Sequence, residues 1–217
     1  YKNLLAIDMH ADNLAVAAKL NPGIKTLCAD LSLKGEWHKA FEGASAVVQL
    51  HAQITGLHER DFERNNIEAT RHVLEACQAY NIPYLLHVSS SVLHSVVDDA
   101  YTRTKRIQEE LVKNSGIKNC ILRPTLMFGW FDPKHLGWLS RFMVCTPVFP
   151  IPGDGKFMRQ PLYNRDFCRA IIACLESDRA GQAYDIVGAE DVDYVDIINA
   201  IRDVKDLRTA IFHIPFP

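Results

Sequence analysis

Tyr101 and Lys105 lie four residues apart in the stretch Tyr101-Thr-Arg-Thr-Lys105, within a segment whose pattern predicts a helix over 100–114. Side chains at that spacing share one helix face. An ammonium beside a phenol favours the phenolate, so a group that ordinarily titrates near pH ~10 becomes usable as a general acid or base closer to neutrality. A short step upstream, Ser89-Ser90-Ser91 follows an apolar run, where a hydroxyl can hydrogen-bond a substrate alcohol or carbonyl. The three residue types together suit proton transfer at a carbon–oxygen bond, and so point to a redox enzyme.

Alternating short strands and helices must position these groups. Leu4–Ile7 reads as a strand ending in Asp8, followed by a helix over Ala11–Leu20 that Asn21-Pro22-Gly23 closes. Ile24–Cys28 is a second strand, leading to Ala29-Asp30, and a second helix spans Leu33–Phe41. Ala46–Leu50 is a third strand, Phe62–Tyr80 a long amphipathic helix, and Pro83–Val88 a fourth strand that delivers the serines. Asn119–Leu122, a fifth strand, ends in Arg123-Pro124-Thr125. This alternation predicts an α/β fold with a doubly wound parallel sheet, in which ligands bind beyond the carboxyl ends of the strands. Asp8, Asp30, His51, the serines and Pro124-Thr125 all fall at such ends.

After Gly129 the texture changes. Trp130–Gly155 is rich in Pro, Gly and aromatic residues, and Val148–Gly155 reads as an extended loop. A helix over Asp166–Glu176, a strand over Ala183–Val187 and a helix over Tyr194–Val204 follow. Residues 1–129 are therefore expected to bind a cofactor, and 130–217 to form a small, mostly substrate-binding region.

Composition narrows the field. In 217 residues, 24 basic and 26 acidic side chains give a net charge of -2 with no basic block, so nucleic acid is not an expected partner. No apolar run reaches the roughly 18 residues of a membrane span, and a soluble, cytoplasmic protein is expected. The six cysteines form no CxxC pair and read as buried free thiols of a reducing compartment. His51, His87 and His94 lie in or beside apolar runs and read as core or pocket histidines, with no metal.

In order and spacing these motifs resemble the extended short-chain dehydrogenase/reductases, the group of nucleotide-sugar epimerases, dehydratases and reductases. The matching stretches are Leu4–Asp8, Ala29-Asp30-Leu31, Val47–Ala52, Asn66–Thr70, His87–Ser91, Tyr101–Lys105, Leu122–Gly129 and Pro152-Gly-Asp-Gly155. The resemblance implies that Asp8 accepts hydrogen bonds from the adenosine ribose, favouring NAD over NADP because a carboxylate repels a 2′-phosphate; the competing role for Asp8 is a helix cap. It implies that Asp30 and Leu31 flank the adenine, that Leu50, His51 and Ala52 run under the riboses, and that Pro124 and Thr125 meet the nicotinamide. Tyr101 and Lys105 would also touch the cofactor. Ser90 is the favoured catalytic serine; counting through the triplet selects Ser91, which otherwise faces substrate. Asn66 would prop the helix of Tyr101. Arg159, with Lys156 nearby, would hold a substrate diphosphate, although a solvated surface role suits Arg159 as well.

Two departures accompany the resemblance. No glycine-rich GxxGxxG turn occurs in the 217 residues, so a complete Rossmann domain is expected to need residues upstream of Tyr1. The segment between the serines and Tyr101 is also short for a sugar-nucleotide enzyme. Two functions compete: an NAD-dependent epimerase, dehydratase or reductase of a small molecule, with a nucleotide-activated sugar as leading substrate, and a non-catalytic cofactor-binding sensor or structural subunit. A homodimer through the helices beginning at Phe62 and Ala100 is the expected assembly.

Overall fold

The computed structural model describes residues 3–132 and 134–215. Among these, the chain divides into two compact units: one runs to Leu122 and regains Cys174–Tyr184, and the other holds Arg123–Ala173 and the residues from Asp185 onward. The division thus falls at the end of the fifth strand, before Gly129, and a later segment returns to the first unit.

In the first unit, β1 (Leu5–Asp8) leads to α1 (Ala11–Leu20) and β2 (Lys25–Cys28). Four alanines within α1 favour helix, and Pro22, which cannot donate, ends it. The helix expected over Leu33–Phe41 is a shorter 3₁₀ turn, Glu36–Phe41, because the backbone is extended at Gly35. After β3 (Val47–Gln49), one continuous helical path comprises α2 (Glu59–Phe62), a π-helical stretch (Glu63–Glu68) and α3 (Ala69–Ala79). Then come β4 (Leu85–Val88), α4 (Ala100–Lys113) and β5 (Asn119–Pro124). Asp99 caps α4 by accepting from the Thr102 amide at 2.7 Å, and Gly116, at φ +74°, makes the left-handed turn that follows it.

β3, β4 and β5 are parallel neighbours, and β10 (Ala183–Ile186) lies on the far side of β5. β1 and β2 form a separate parallel pair. The α/β, doubly wound parallel class expected from the sequence is the fold found. Leu85 and Ile121 meet Val73, Leu74 and Cys77 of α3 and Val112 of α4, and Trp37 and Phe41 complete this core. Each buried side chain of this kind contributes roughly 1.5–3 kcal/mol.

The second unit contains elements that the sequence left as loop. α5 (Leu136–Cys145) and β7 (Val148–Pro152) lie inside the Pro- and aromatic-rich stretch, and β12 (Ala210–Ile214) pairs in parallel with β7. Leu139 and Met143 of α5 pack with Phe149, Ile151 and Ile198, the last from α7 (Tyr194–Val204). β6 (Met127–Phe128) pairs with β9 (Leu162–Tyr163), and β8 (Met158–Arg159) with β11 (Val192–Asp193). α6 (Asn164–Glu176) starts two residues before its expected limit. All six cysteines are free thiols, but Cys28, Cys145 and Cys168 are exposed, which corrects the expectation that all are buried.

Candidate active site

The carboxyl end of β4 and the first turns of α4 assemble the site. Ser90, extended at φ -156°, starts a short 3₁₀ turn (Ser91–His94), and its side chain hydrogen-bonds the Tyr101 phenol. This contact selects Ser90 over Ser91 as the partner of Tyr101. One turn on, Lys105 is fully buried and its Nζ donates to the Val88 carbonyl at 3.0 Å.

The titration of this pair differs from the expectation. Burial raises the Tyr101 pKa, the Ser90 bond lowers it and the Asp99 carboxylate raises it, with a net upward shift. Lys105 is turned toward the strand, and burial brings it down to about 8, opposed by Glu109. Burial thus moves the two groups in opposite directions, the phenol up and the amine down, each toward its neutral form.

Asn66, buried in the π-helical stretch, fixes the surroundings. Its Oδ1 accepts from the Gln53 amide at 2.6 Å, and its Nδ2 donates to the Gln53 carbonyl at 3.1 Å and to Thr104 Oγ1 at 3.0 Å. The helix of Tyr101 is thereby tied to the segment after β3. π-helical turns recur at functional sites because they re-aim side chains.

The other strand ends carry the expected groups. Asp8 Oδ1 accepts from the His10 amide at 2.8 Å and Oδ2 from Asn13 Nδ2 at 3.0 Å, so this carboxylate does support the start of α1. Asp30 accepts from the Ser32 amide and hydroxyl and from Arg64; burial raises its pKa, but the Ser32 bonds and the Arg64 charge outweigh it and lower the carboxyl. Leu31 packs on the core, whereas Leu50 is 59% exposed and Ala52 is exposed. His51 is partly buried, and burial, then the charge of Lys105, pull its pKa to about 4 despite a bond to the Asn66 backbone.

The remaining candidates belong to the second unit. Pro124 is buried at the end of β5, and Thr125 Oγ1 donates to the Gln160 carbonyl at 2.7 Å. Lys156 and Arg159 are exposed, and the Arg159 guanidinium lies 5.3 Å from the centre of the Phe157 ring, which stacks on Tyr194.

Sequence reading missed a polar layer beneath Lys105. Gln49, Thr70, His87 and Gln108 are all buried there, and His87 is not the satisfied core histidine expected of it: neither ring nitrogen has a hydrogen-bond partner among the described residues. The only signal was one polar residue in each of the apolar runs of β3 and β4.

Residues 2–188 match the NAD dependent epimerase/dehydratase family. The chain belongs to that family. It is 24% identical over 211 residues to 3beta-hydroxysteroid-dehydrogenase/decarboxylase isoform 2 of Arabidopsis thaliana, an alignment covering 83% of this chain and 37% of that protein. It is 25% identical over 186 residues to NADH dehydrogenase [ubiquinone] 1 alpha subcomplex subunit 9, mitochondrial, of the same plant, covering 81% and 46%. The chain thus spans well under two thirds of either relative. The crystal structure of UDP-glucuronic acid 4-epimerase from Bacillus cereus in complex with NAD superposes with a TM-score of 0.85 at 22% identity, covering 98% of this chain and 78% of that one. That likeness confirms the fold. Among the described residues, no helix is long and apolar enough to cross a membrane, and no three His, Cys, Asp or Glu side chains are grouped to hold a metal.

Proposed function

We propose that this protein is an NAD-dependent epimerase, dehydratase or reductase that acts at a hydroxyl or carbonyl of a small molecule, with Tyr101 as general acid/base. The observation that carries this reading is the Ser90–Tyr101 hydrogen bond, with Lys105 buried one helical turn away. Ser90 orients the phenol and would share the substrate oxygen, and Tyr101 would give or take the proton there. Lys105, already near its titration point at neutral pH, would hold the positive charge that the reacting oxygen needs.

The residues present suit a dinucleotide. The Asp8 carboxylate at the end of β1, Asp30 and Leu31 beyond β2, and the exposed Leu50 with His51 and Ala52 beyond β3 offer acceptors and apolar surface at successive strand ends. Lys105, Tyr101, Pro124 and Thr125 would face its nicotinamide half. NAD, when bound, would supply the hydride chemistry. The acidic Asp8 argues against NADP.

A nucleotide-activated sugar is the substrate class we favour. The named Bacillus cereus neighbour acts on such a compound, and Arg159 and Lys156 are exposed cations suited to a diphosphate. Ser91, partly exposed beside Ser90, would meet the substrate. The groove of about 470 Å³ between α3 and α4, lined by Leu74, Gln78, Ile107 and Leu111, supports pairing of two copies across these helices. Free thiols favour the cytoplasm.

A second reading, a cofactor-binding sensor or structural subunit, draws on the upward shift of Tyr101 and on the similarity to a subunit of NADH dehydrogenase. Tyr101→Phe in the full-length protein separates the two. A fall in turnover of about 10²–10⁴-fold with NAD affinity retained supports the enzyme. Unchanged behaviour of the variant in its cellular role, with no turnover by the wild type on nucleotide sugars, supports the subunit.

A further inference from the structure

Within the second unit, α5 lacks a polar side. Leu136, Leu139 and Met143 pack on the core with Phe149 and Ile198, at the spacing of one helix face. The other side, which a surface helix normally gives to charged residues, carries Trp138, Phe142 and Val144, all exposed, and Arg141 is the one charged residue among the ten. Trp138 and Phe142, one turn apart, stack with ring centres 5.2 Å from each other. α6 of the same unit shows the usual arrangement, turning Arg165, Asp166 and Arg169 to solvent.

The turn over 129–132 extends this apolar side. Trp130 is 74% and Phe131 67% exposed, and Phe131 holds φ at +63°, where a bulky side chain is rare and persists only if its surroundings fix it. Four bonds and a cap do so here. Asn164 Nδ2 donates to the Trp130 carbonyl at 3.1 Å, and the Arg141 guanidinium donates to the Asp132 carbonyl at 3.3 Å. The Asp132 carboxylate accepts from the amides of Lys134 at 3.0 Å, His135 at 2.9 Å and Gly137 at 2.8 Å. Two exposed rings are therefore displayed from a turn tied to the start of α5. The only acidic residue of 130–145 is taken up by backbone amides, whereas Lys134 and Arg141 are exposed cations.

Exposed apolar patches of this kind mark contacts with a partner or a membrane. A second copy of this chain fits poorly: a two-fold contact through this face would set Lys134 and Arg141 beside their counterparts, and like charges oppose it. Anionic headgroups complement the same cations, and Trp is a residue that settles at membrane interfaces. Ten residues at 1.5 Å each make α5 about 15 Å long, half of the ~30 Å of a hydrocarbon layer, so it can lie in the interface without crossing. We infer that the turn over 129–132 and the outer side of α5 form a lipid-binding surface. It seats the protein on a bilayer bearing anionic headgroups, with Trp130, Phe131, Trp138 and Phe142 inserted among the headgroups and Lys134 and Arg141 against their phosphates. None of these residues belongs to the first unit, so the lipid surface stands or falls apart from the Tyr101 reading.

The test is partition of the full-length protein onto vesicles of phosphatidylcholine alone and of equal parts phosphatidylcholine and phosphatidylserine, read by co-sedimentation and tryptophan emission. Trp37, the remaining tryptophan of residues 1–217, is buried, so emission changes report Trp130 and Trp138. Binding is expected on the anionic vesicles, with emission shifted to the blue and quenched by brominated lipid. Lys134→Gln combined with Arg141→Gln should weaken it about 30-fold, about fivefold for each charge near the surface. Trp138→Glu should weaken it at least about tenfold, because a charge replaces an interfacial ring. Should Trp138→Glu fail to fold, Phe131→Gly, which suits the positive φ, removes one ring and reads the same partition. A wild type that stays in solution with both vesicles, or binding that none of these variants changes, would overturn the lipid surface. The same absence of binding together with a changed oligomeric state in Trp138→Glu would assign the face to a second copy instead.

Discussion

Asn66 Nδ2 donates to Thr104 Oγ1 across 3.0 Å, joining residues 38 positions apart and fixing the helix of Tyr101 against the π-helical stretch. Thr104 returns its own proton to the Ala100 carbonyl at 2.8 Å, so the bond reaches the first turn of α4. Asn66→Ala would strand the Gln53 amide and carbonyl as well as Thr104. We expect a loss of roughly 2–3 kcal/mol, measured by urea unfolding. A conservative Asn66→Asp keeps the acceptor but loses the donor to Thr104, and should fall between.

Ser90 and Ser91 should separate by titration. Ser90 lowers the Tyr101 pKa, so Ser90→Ala raises it, and ultraviolet titration of the phenol would register the move. Ser91→Ala leaves that titration in place. Turnover, if present, should drop about tenfold in Ser90→Ala, the worth of one hydrogen bond at the reacting oxygen.

Lys105 imposes a pH-dependent penalty. Its folded pKa, about 8, lies below the ordinary value of 10.5, so the unfolded chain binds the extra proton between those pH values. The cost is full below pH 8 and is relieved as pH rises toward 10.5, and amounts to about 3 kcal/mol at ~1.4 kcal/mol per unit. Lys105→Met removes it. The difference between wild-type and variant stability should therefore shrink across that window, and a constant difference would contradict the burial of the charge.

His51 acts at the acid end. Its pKa falls from 6.5 to about 4 on folding, so stability from the neutral imidazole is whole above pH 6.5 and is lost as pH falls toward 4. His51→Gln should flatten the acid unfolding curve over that interval. His87, also held well below its ordinary value, extends the loss to lower pH.

Gly188 tests the second unit. A Cβ there would meet the Pro161 carbonyl oxygen at 2.1 Å, against rigid backbone. Gly188→Ala should cost about 1–3 kcal/mol by overpacking, seen as a lower midpoint of thermal unfolding.

How far the sequence could be read follows from the range of the forces involved. α1 and α7 were legible to their end residues, because alanine content and Asn21-Pro22 in one, and strict apolar spacing in the other, act within a few positions. α5 was not, since Trp138, Phe142 and the flanking prolines looked like loop until Phe149 and Ile198 supplied the packing that makes Leu139 and Met143 a helix face. β12 is defined by its pairing with β7, 62 residues away. In the candidate site, Ser90, Tyr101 and Lys105 announce themselves by type and spacing. Gln49, Thr70, His87 and Gln108 each look ordinary alone, and their meaning comes from a register between β3 and β4 that no local pattern encodes.

The separation of the β1–β2 pair from the four-stranded sheet has a practical corollary. β1 and β3 each bond a neighbour on one side only, so each leaves a row of backbone amides and carbonyls open to another strand. Neither edge carries a proline, a device that often blunts such edges. Each row can accept a further strand, and charged substitutions along β1 are expected to weaken whatever pairs there.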